Sequence, residues 1–255
     1  DSVDGGEGRD LVYSSVSYNL APTVEDVTLT GSANIGATGN AYGNIMIGND
    51  GANILDGGIG IDYMYGGAGD DVFIVDHSDD LADGGEGRDL VRASASYTLS
   101  ATVEDVTLTG AANISATGNV LNNVMTGNDG NNHLDGGLGI DTLLGGAGDD
   151  IMLVDNVDDV AQGDEGHDLV FSSVSYTLSA TTEDIVLYTS ANINATGNAS
   201  DNTLYGNEGN NILDGREGAD TVYAGAGEDT IYVDNVLDSV DGGEGRDLVY
   251  SSVSY

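Results

Sequence analysis

Apolar side chains recur along this chain in short runs, separated by glycine and polar residues on a period of nine. In Gly57-Gly-Ile-Gly-Ile-Asp-Tyr-Met-Tyr65 and Gly66-Gly-Ala-Gly-Asp-Asp-Val-Phe-Ile74, positions 1, 2 and 4 are glycine, position 6 is Asp, and positions 7 to 9 are apolar or aromatic. Position 8 is always apolar, held by Met46, Leu55, Met64 and Phe73, then by Met125, Leu134, Leu143 and Met152. A turn followed by a short strand whose middle side chain points inward fits this pattern. Turn, strand, turn, strand predicts one coil of about 18 residues.

The blocks sit inside a longer repeat. Asp4 to Val12 returns as Asp83 to Val91, in altered form as Gln162 to Val170, and again as Asp241 to Val249, each time 79 residues on. Residues 238–255 duplicate residues 1–18. The expected organisation is a single continuous β-solenoid over 1–255, with repeats at 1–79, 80–158 and 159–237 and a fourth beginning at 238–255, as a window of a longer array. Between Asp10 and Gly39 the Gly-rich blocks stop. There Leu11 to Leu20 alternates as strand, and Val27 to Thr30 forms another. Asp10 to Asp26 is 16 residues, so 79 reads as nine nonapeptides less two. Nine is odd, which predicts about 4.5 coils per repeat, with equivalent edges swapping sides from one repeat to the next. A single long half-coil would instead give four coils and no swap.

Composition narrows the chemistry. The 255 residues include 40 Gly and 44 Asp or Glu against 5 Lys or Arg, for a formal charge of −39. That charge excludes a nucleic-acid binder, because phosphates would be repelled. No Cys is present, so no disulfide framework forms. No 18-residue apolar run exists to span a membrane, and no charged-then-apolar leader opens the chain. Such acidity usually accompanies disorder. Here 39% of residues are hydrophobic and periodically placed, which makes disorder conditional. No H-E-x-x-H, G-x-S-x-G, P-loop or EF-hand pattern appears, and His77, His133 and His167 are dispersed, so the chain reads as no enzyme. Arg9, Arg88 and Arg246 are placed to neutralise nearby acids in part.

Residues 18 apart in such a coil stack about 4.8 Å apart. The series Asp26, Asn44, Asp62, Asp80 and the series Asn53, Asp71, Asp89 keep that step, so each edge carries a ladder of oxygen-bearing side chains. Unit charges at that spacing repel by about 0.9 kcal/mol even in water, and several-fold more near a protein surface. A divalent cation reverses the sign. Calcium takes 6–8 oxygens, backbone carbonyls included, whereas magnesium demands tight octahedral geometry. No His/Cys cluster suits a transition metal. Acids off position 6, such as Glu7, Glu25 and Glu104, read as solvated surface.

The motif G-G-x-G-x-D-x-U-x resembles the RTX calcium-binding repeat, and the resemblance covers essentially the whole chain. It implies an all-β parallel β-roll in which glycine-turn carbonyls and position-6 side chains surround multiple Ca2+ ions. Carried onto this sequence, the acidic ligands are Asp10, Asp62, Asp71, Asp80, Asp89, Asp141, Asp150, Asp159, Asp168, Asp220, Asp229, Asp238 and Asp247. The carbonyl-bearing glycines are Gly58, Gly60, Gly67, Gly69, Gly137, Gly139, Gly146 and Gly148. Position 6 is Asn at Asn44, Asn53, Asn123, Asn132, Asn202 and Asn211, which keeps an oxygen and loses the charge, so calcium there is expected to be weaker or absent. Arg216 and Ala224 replace expected glycines.

The resemblance also implies type I secretion and folding outside the cell. The expected function is a structural calcium-binding repeat of an extracellular filament, surface adhesin stalk or surface layer. The alternatives are the tail of a secreted enzyme or toxin whose catalytic domain lies elsewhere, and a passive calcium buffer. Outward positions 7 and 9, including Ile45, Ile47, Tyr63, Tyr65, Val72, Ile74, Tyr205, Tyr223 and Tyr232, point to self-association into a fibre or array. A surface receptor or polysaccharide would be the target if the chain is an adhesin.

Overall fold

The computed structural model describes residues 3–254, and every regular element among them is a β-strand. They divide into two compact units, Asp1–Thr126 and Gly127–Tyr255, each a parallel β-solenoid with turns of about 18 residues.

In the first unit the strands Leu11–Ser14, Asp26–Leu29, Ile45–Ile47, Tyr63–Ala68 and Leu81–Glu86 form one parallel sheet. The alternate strands, among them Ile54–Asp56, Val72–Val75, Leu90–Ala93 and Asp105–Leu108, form the sheet facing it. The period of nine puts one inward side chain at the centre of each strand. Met46, Leu55, Met64 and Phe73 are fully buried, as are Met125, Leu134, Leu143 and Met152. Register keeps like positions stacked, so Val27, Met46, Met64 and Ala82 form one interior column. Each large side chain taken out of water contributes about 1.5–3 kcal/mol. The flanking positions face outward, and Ile47, Tyr63, Tyr65 and Ile74 remain exposed.

The two-residue deficit is spread over two coils. Leu11 pairs with Asp26, a step of 15, and Asp26 pairs with Ile45, a step of 19. The same steps recur at Leu90, Asp105 and Val124, and at Leu169, Asp184 and Thr203. A step of 19 also separates Tyr18 from Ala37, Tyr97 from Ala116 and Tyr176 from Ala195 in the facing sheets, whereas in the Gly-rich blocks the step is 18, as in Ile45 to Tyr63 to Leu81. Asp26 therefore sits on its strand beside Ile45, and not on the rim beside Asn44 as its spacing suggested. Glu25 takes the rim position.

Equivalent strands change sides. Leu11–Ser14 and Leu90–Ala93 belong to opposite sheets of the first unit, and Leu169–Ser172 and Leu248–Ser251 to opposite sheets of the second. Asp10 and Asp89 accordingly lead into different sheets.

Where the coil shortens, one sheet is interrupted and a tyrosine fills the gap. The Ala82 N–H donates to the Tyr97 hydroxyl at 3.0 Å, and the Ala161 N–H to the Tyr176 hydroxyl at 2.9 Å. Burial raises the pKa of both phenols, keeping them protonated. Replacing Tyr97 and Tyr176 by Phe strands two buried amides, at about 1–3 kcal/mol each. Thermal denaturation in calcium should show a clear drop in midpoint for this pair. Tyr205→Phe, whose side chain is exposed, is the control and should leave the midpoint in place.

Candidate metal centres

The turns joining the strands carry the acids. Gly58 and Gly60 have φ of 78° and 143°, and Gly67 and Gly69 both 107°, a region that glycine enters freely. Gly137, Gly139, Gly146 and Gly148 also have positive φ. At the departure noted above, Arg216 is forced to φ 66°, where a side chain costs free energy.

Where position 6 is Asp, one bond ties the turn to its neighbour. Its Oδ1 accepts the backbone N–H of the position-6 residue one coil earlier: Asn44 N–H to Asp62 at 2.7 Å, Asp62 N–H to Asp80 at 2.9 Å, Asn53 N–H to Asp71 and Asp71 N–H to Asp89 at 2.7 Å. In the second unit Asn132 to Asp150, Asp150 to Asp168, Asn202 to Asp220 and Asn211 to Asp229 repeat it at 2.7–2.9 Å. Asp141, Asp220 and Asp229 donate likewise to Asp159, Asp238 and Asp247.

The second oxygen separates these residues into three groups. In Asp10, Asp62, Asp71, Asp89, Asp150, Asp168, Asp220 and Asp229 the Oδ2 is buried and accepts no hydrogen bond. It lies against the position-1 glycine of the same turn, where a Cβ at Gly57, Gly66 or Gly84 would overlap it; Asp141 holds the same place against Gly136. In Asp80, Asp159 and Asp238 the Oδ2 instead caps turn N–H groups, of His77, of Asp155 and Asn156, and of Asp234 and Asn235, at 3.0–3.2 Å. Position 1 of those turns is Val75, Val154 or Val233. Asp247 is only half-buried.

The third group is the asparagines, whose amides are engaged at both ends. Asn53 Oδ1 accepts the Asn49 N–H at 2.7 Å, while its Nδ2 donates to the Ile35 carbonyl at 2.8 Å and to Asn49 Oδ1 at 2.9 Å. Asn44, Asn123, Asn132, Asn202 and Asn211 accept the N–H of Asn40, Asn119, Asn128, Asn198 and Asn207 in the same way. Asn40 Nδ2 also donates to the Ala21 and Val24 carbonyls of the previous coil, at 2.9 and 2.7 Å. Asparagine at position 2 thus accompanies asparagine at position 6 in every such turn. That pairing is visible in the sequence and marks these turns, although spacing alone drew attention only to position 6.

Glu25, Glu104 and Glu183 are rim residues that the nonapeptide pattern does not reach. Their Oε2 atoms accept the N–H of Asp10, Asp89 and Asp168 at 2.8–2.9 Å, the bond that a position-6 Asp makes elsewhere. Two of the arginines bind the residue that follows the glutamate. Arg9 makes a two-pronged pair with Asp26 at 2.8 and 2.6 Å, and Arg88 does so with Asp105 at 2.8 and 2.7 Å. His167 stands 3.7 Å from Asp184 in the third copy.

Burial pushes Asp62, Asp71, Asp89, Asp150, Asp168 and Asp220 up to a pKa of about 6, partly offset by the donated N–H and increased again by neighbouring carboxylates. A hard cation fits this donor set: buried carboxylate oxygens without a donor, flanked by glycine turns. Among the described residues no three acidic, His or Cys side chains converge. A cation here would therefore draw most of its oxygens from the backbone, as calcium readily does.

The sequence pattern of the RTX calcium-binding nonapeptide repeat (4 copies) matches residues 38–73, 56–91, 117–152, 126–160 and 196–231, together just over half of the chain. No curated protein matches it.

The raised carboxylates fix a sign for pH. Their folded pKa of about 6 exceeds the ordinary 3.8, so in the metal-free chain their contribution is most favourable below pH 3.8 and is lost as pH rises through about 6. Calcium inverts this, because it holds the same groups ionised and protons displace it. With chelator present and the protein dilute, far-ultraviolet circular dichroism should show more strand at about pH 4 than at about pH 7.5. In calcium the order should reverse. Strand content independent of pH in chelator would contradict the assignment.

Proposed function

The chain belongs to the family of RTX calcium-binding nonapeptide-repeat proteins, and from that premise we propose that it is a calcium-stiffened structural element of an extracellular filament, adhesin stalk or surface layer. Calcium ions are held at the turns of Asp10, Asp62, Asp71, Asp89, Asp150, Asp168, Asp220 and Asp229, with Asp141 as the same kind of turn. The glycines at positions 2 and 4, Gly58, Gly60, Gly67, Gly69, Gly137, Gly139, Gly146 and Gly148, shape these turns and present carbonyl oxygens. The observation that carries this reading is the row of buried Oδ2 atoms that accept no hydrogen bond. Bound calcium supplies the positive charge that each of these oxygens lacks. The Asn turns, closed by their own amides, hold none.

Calcium sites of extracellular modules bind at about 10⁻⁴–10⁻³ M. They stay empty where free calcium is submicromolar, and the chain stays unfolded and exportable there. At calcium tenfold above the dissociation constant each site contributes about 1.4 kcal/mol. A handful of sites then matches the whole stability of an ordinary domain, about 5–15 kcal/mol. Binding becomes folding.

One sheet of the second unit supports lateral assembly. Leu153, Phe171, Val186, Tyr205 and Tyr223 lie in register on its outer surface, with Tyr205 and Tyr223 stacked at 5.0 Å. Such a continuous apolar row favours contact with another surface.

The experiment is circular dichroism with excess chelator, then with calcium, then with magnesium. Strand signal should vanish in chelator and return with calcium at millimolar concentration, but not with magnesium. Strand content that survives excess chelator at neutral pH refutes calcium-gated folding. Electron microscopy of the calcium-loaded chain should show ordered assemblies, and monodisperse particles at millimolar calcium would count against the filament.

A further inference from the structure

We propose that Glu104 and Glu183, outside the residues matching the nonapeptide pattern, are calcium ligands, each completing with Asp89 or Asp168 a two-carboxylate site at the short coil. This rests on the reading of the Asp turns given above and extends it to a segment with no Gly-rich block.

The geometry is the same at both places. Asp89 and Asp168 are fully buried, and the Oδ2 of each accepts no hydrogen bond. The next coil brings no position-6 Asp, because it is three residues short. It brings Glu104 or Glu183, whose longer side chain reaches the N–H of Asp89 or Asp168 at 2.8 and 2.9 Å. Glu25 and Asp10 repeat the arrangement at 2.8 Å. The cradle is formed at Gly84, where a Cβ would overlap both Asp89 Oδ2 and the Thr102 carbonyl. Two carboxylates and a carbonyl on adjacent coils form a hard oxygen set suited to calcium.

Accepting one N–H does not require a carboxylate. The Asn turns show that this chain uses amides where the bonding is neutral, and a Gln at 104 would accept the Asp89 N–H equally well. Instead two like charges adjoin at a buried site, and Glu104 and Glu183 are among the neighbours that raise the pKa of Asp89 and Asp168. Of the neighbouring basic side chains, Arg88 is committed to Asp105 and His167 lies against Asp184. A bound divalent ion removes the repulsion.

The test uses the full chain and counts bound calcium by equilibrium dialysis with radioactive calcium. Glu104→Gln with Glu183→Gln keeps the acceptor for each N–H and removes the charge. The double variant should keep its strand signal in saturating calcium and bind two fewer ions, or bind two of them at least tenfold more weakly. Asp71→Asn with Asp150→Asn is the parallel variant at ordinary Asp turns. Calcium binding that falls in the Asp variant and is unchanged in the Glu variant overturns this proposal alone. Binding unchanged in both overturns the Asp-turn reading beneath it. Should the Glu variant not fold, a crystal of the unaltered chain grown in calcium decides. An ion about 2.3–2.6 Å from both the Asp89 and Glu104 carboxylates supports the proposal, and its absence there overturns it.

Discussion

A buried carboxylate with one oxygen bound and the other bare is the interaction on which the rest of this solenoid depends. Oδ1 of each position-6 Asp ties one coil to the previous one through a backbone N–H. That bond draws the carboxylate inside, and Oδ2 comes with it into a place no donor reaches. A buried polar group without a partner costs about 1–3 kcal/mol, and more when it is charged. The feature that sets the register is therefore also the one that opposes folding in the absence of a cation. The calcium-coupled folding proposed above rests on this geometry rather than on the size of the acidic charge. Exposed acids such as Glu7 and Asp70 contribute only screened repulsion.

The chain solves the same turn problem in three ways. Where position 1 is glycine and position 6 is Asp, the bare oxygen remains. Where position 1 is valine, the chain re-aims Oδ2 onto its own turn N–H groups, as Asp80 does with His77. Where positions 2 and 6 are both asparagine, the amides donate to carbonyls of the previous coil and accept the turn N–H, leaving nothing for an ion to neutralise. Each 79-residue repeat thus combines turns that keep a bare buried oxygen with turns whose side chains are satisfied by their own hydrogen bonds. The Asn turns sit next to the shortened coil, where Glu104 ends the run of carboxylates and its own carbonyl accepts Asn123 Nδ2 at 2.8 Å.

Much of this was legible in the sequence, because the period of nine is imposed by geometry at every block. The inward column, the outward tyrosines, the turn glycines and the exchange of faces all follow from counting residues. What counting missed lies where the count itself breaks. Asp26 keeps the spacing of the ladder, 18 residues before Asn44, and yet belongs to the strand beside Ile45, since the deficit is split as three residues lost and one regained. Glu25 looked like a surface acid because no glycine frames it. Only the register shows that its extra methylene replaces missing backbone. The tyrosine hydroxyl that bridges the interrupted sheet was invisible for the same reason, since nothing in the residues around Tyr97 announces an open N–H at Ala82.

The odd number of strands per repeat has a consequence for charge. Within the first repeat the bare carboxylates are unevenly divided, with Asp10 and Asp62 on one rim and Asp71 on the other. Stacking repeats without a change of side would load one rim with twice the bare carboxylates of the other. The swap prevents this. In the second unit the rim that carries Asp150 and Asp168 goes on to carry Asp220, while the opposite rim, leading in from Asp141, goes on to Asp229 and Asp247. Two residues removed from a ninefold pattern leave the strand count odd, and the odd count distributes the bare carboxylates, and their repulsion, over both rims.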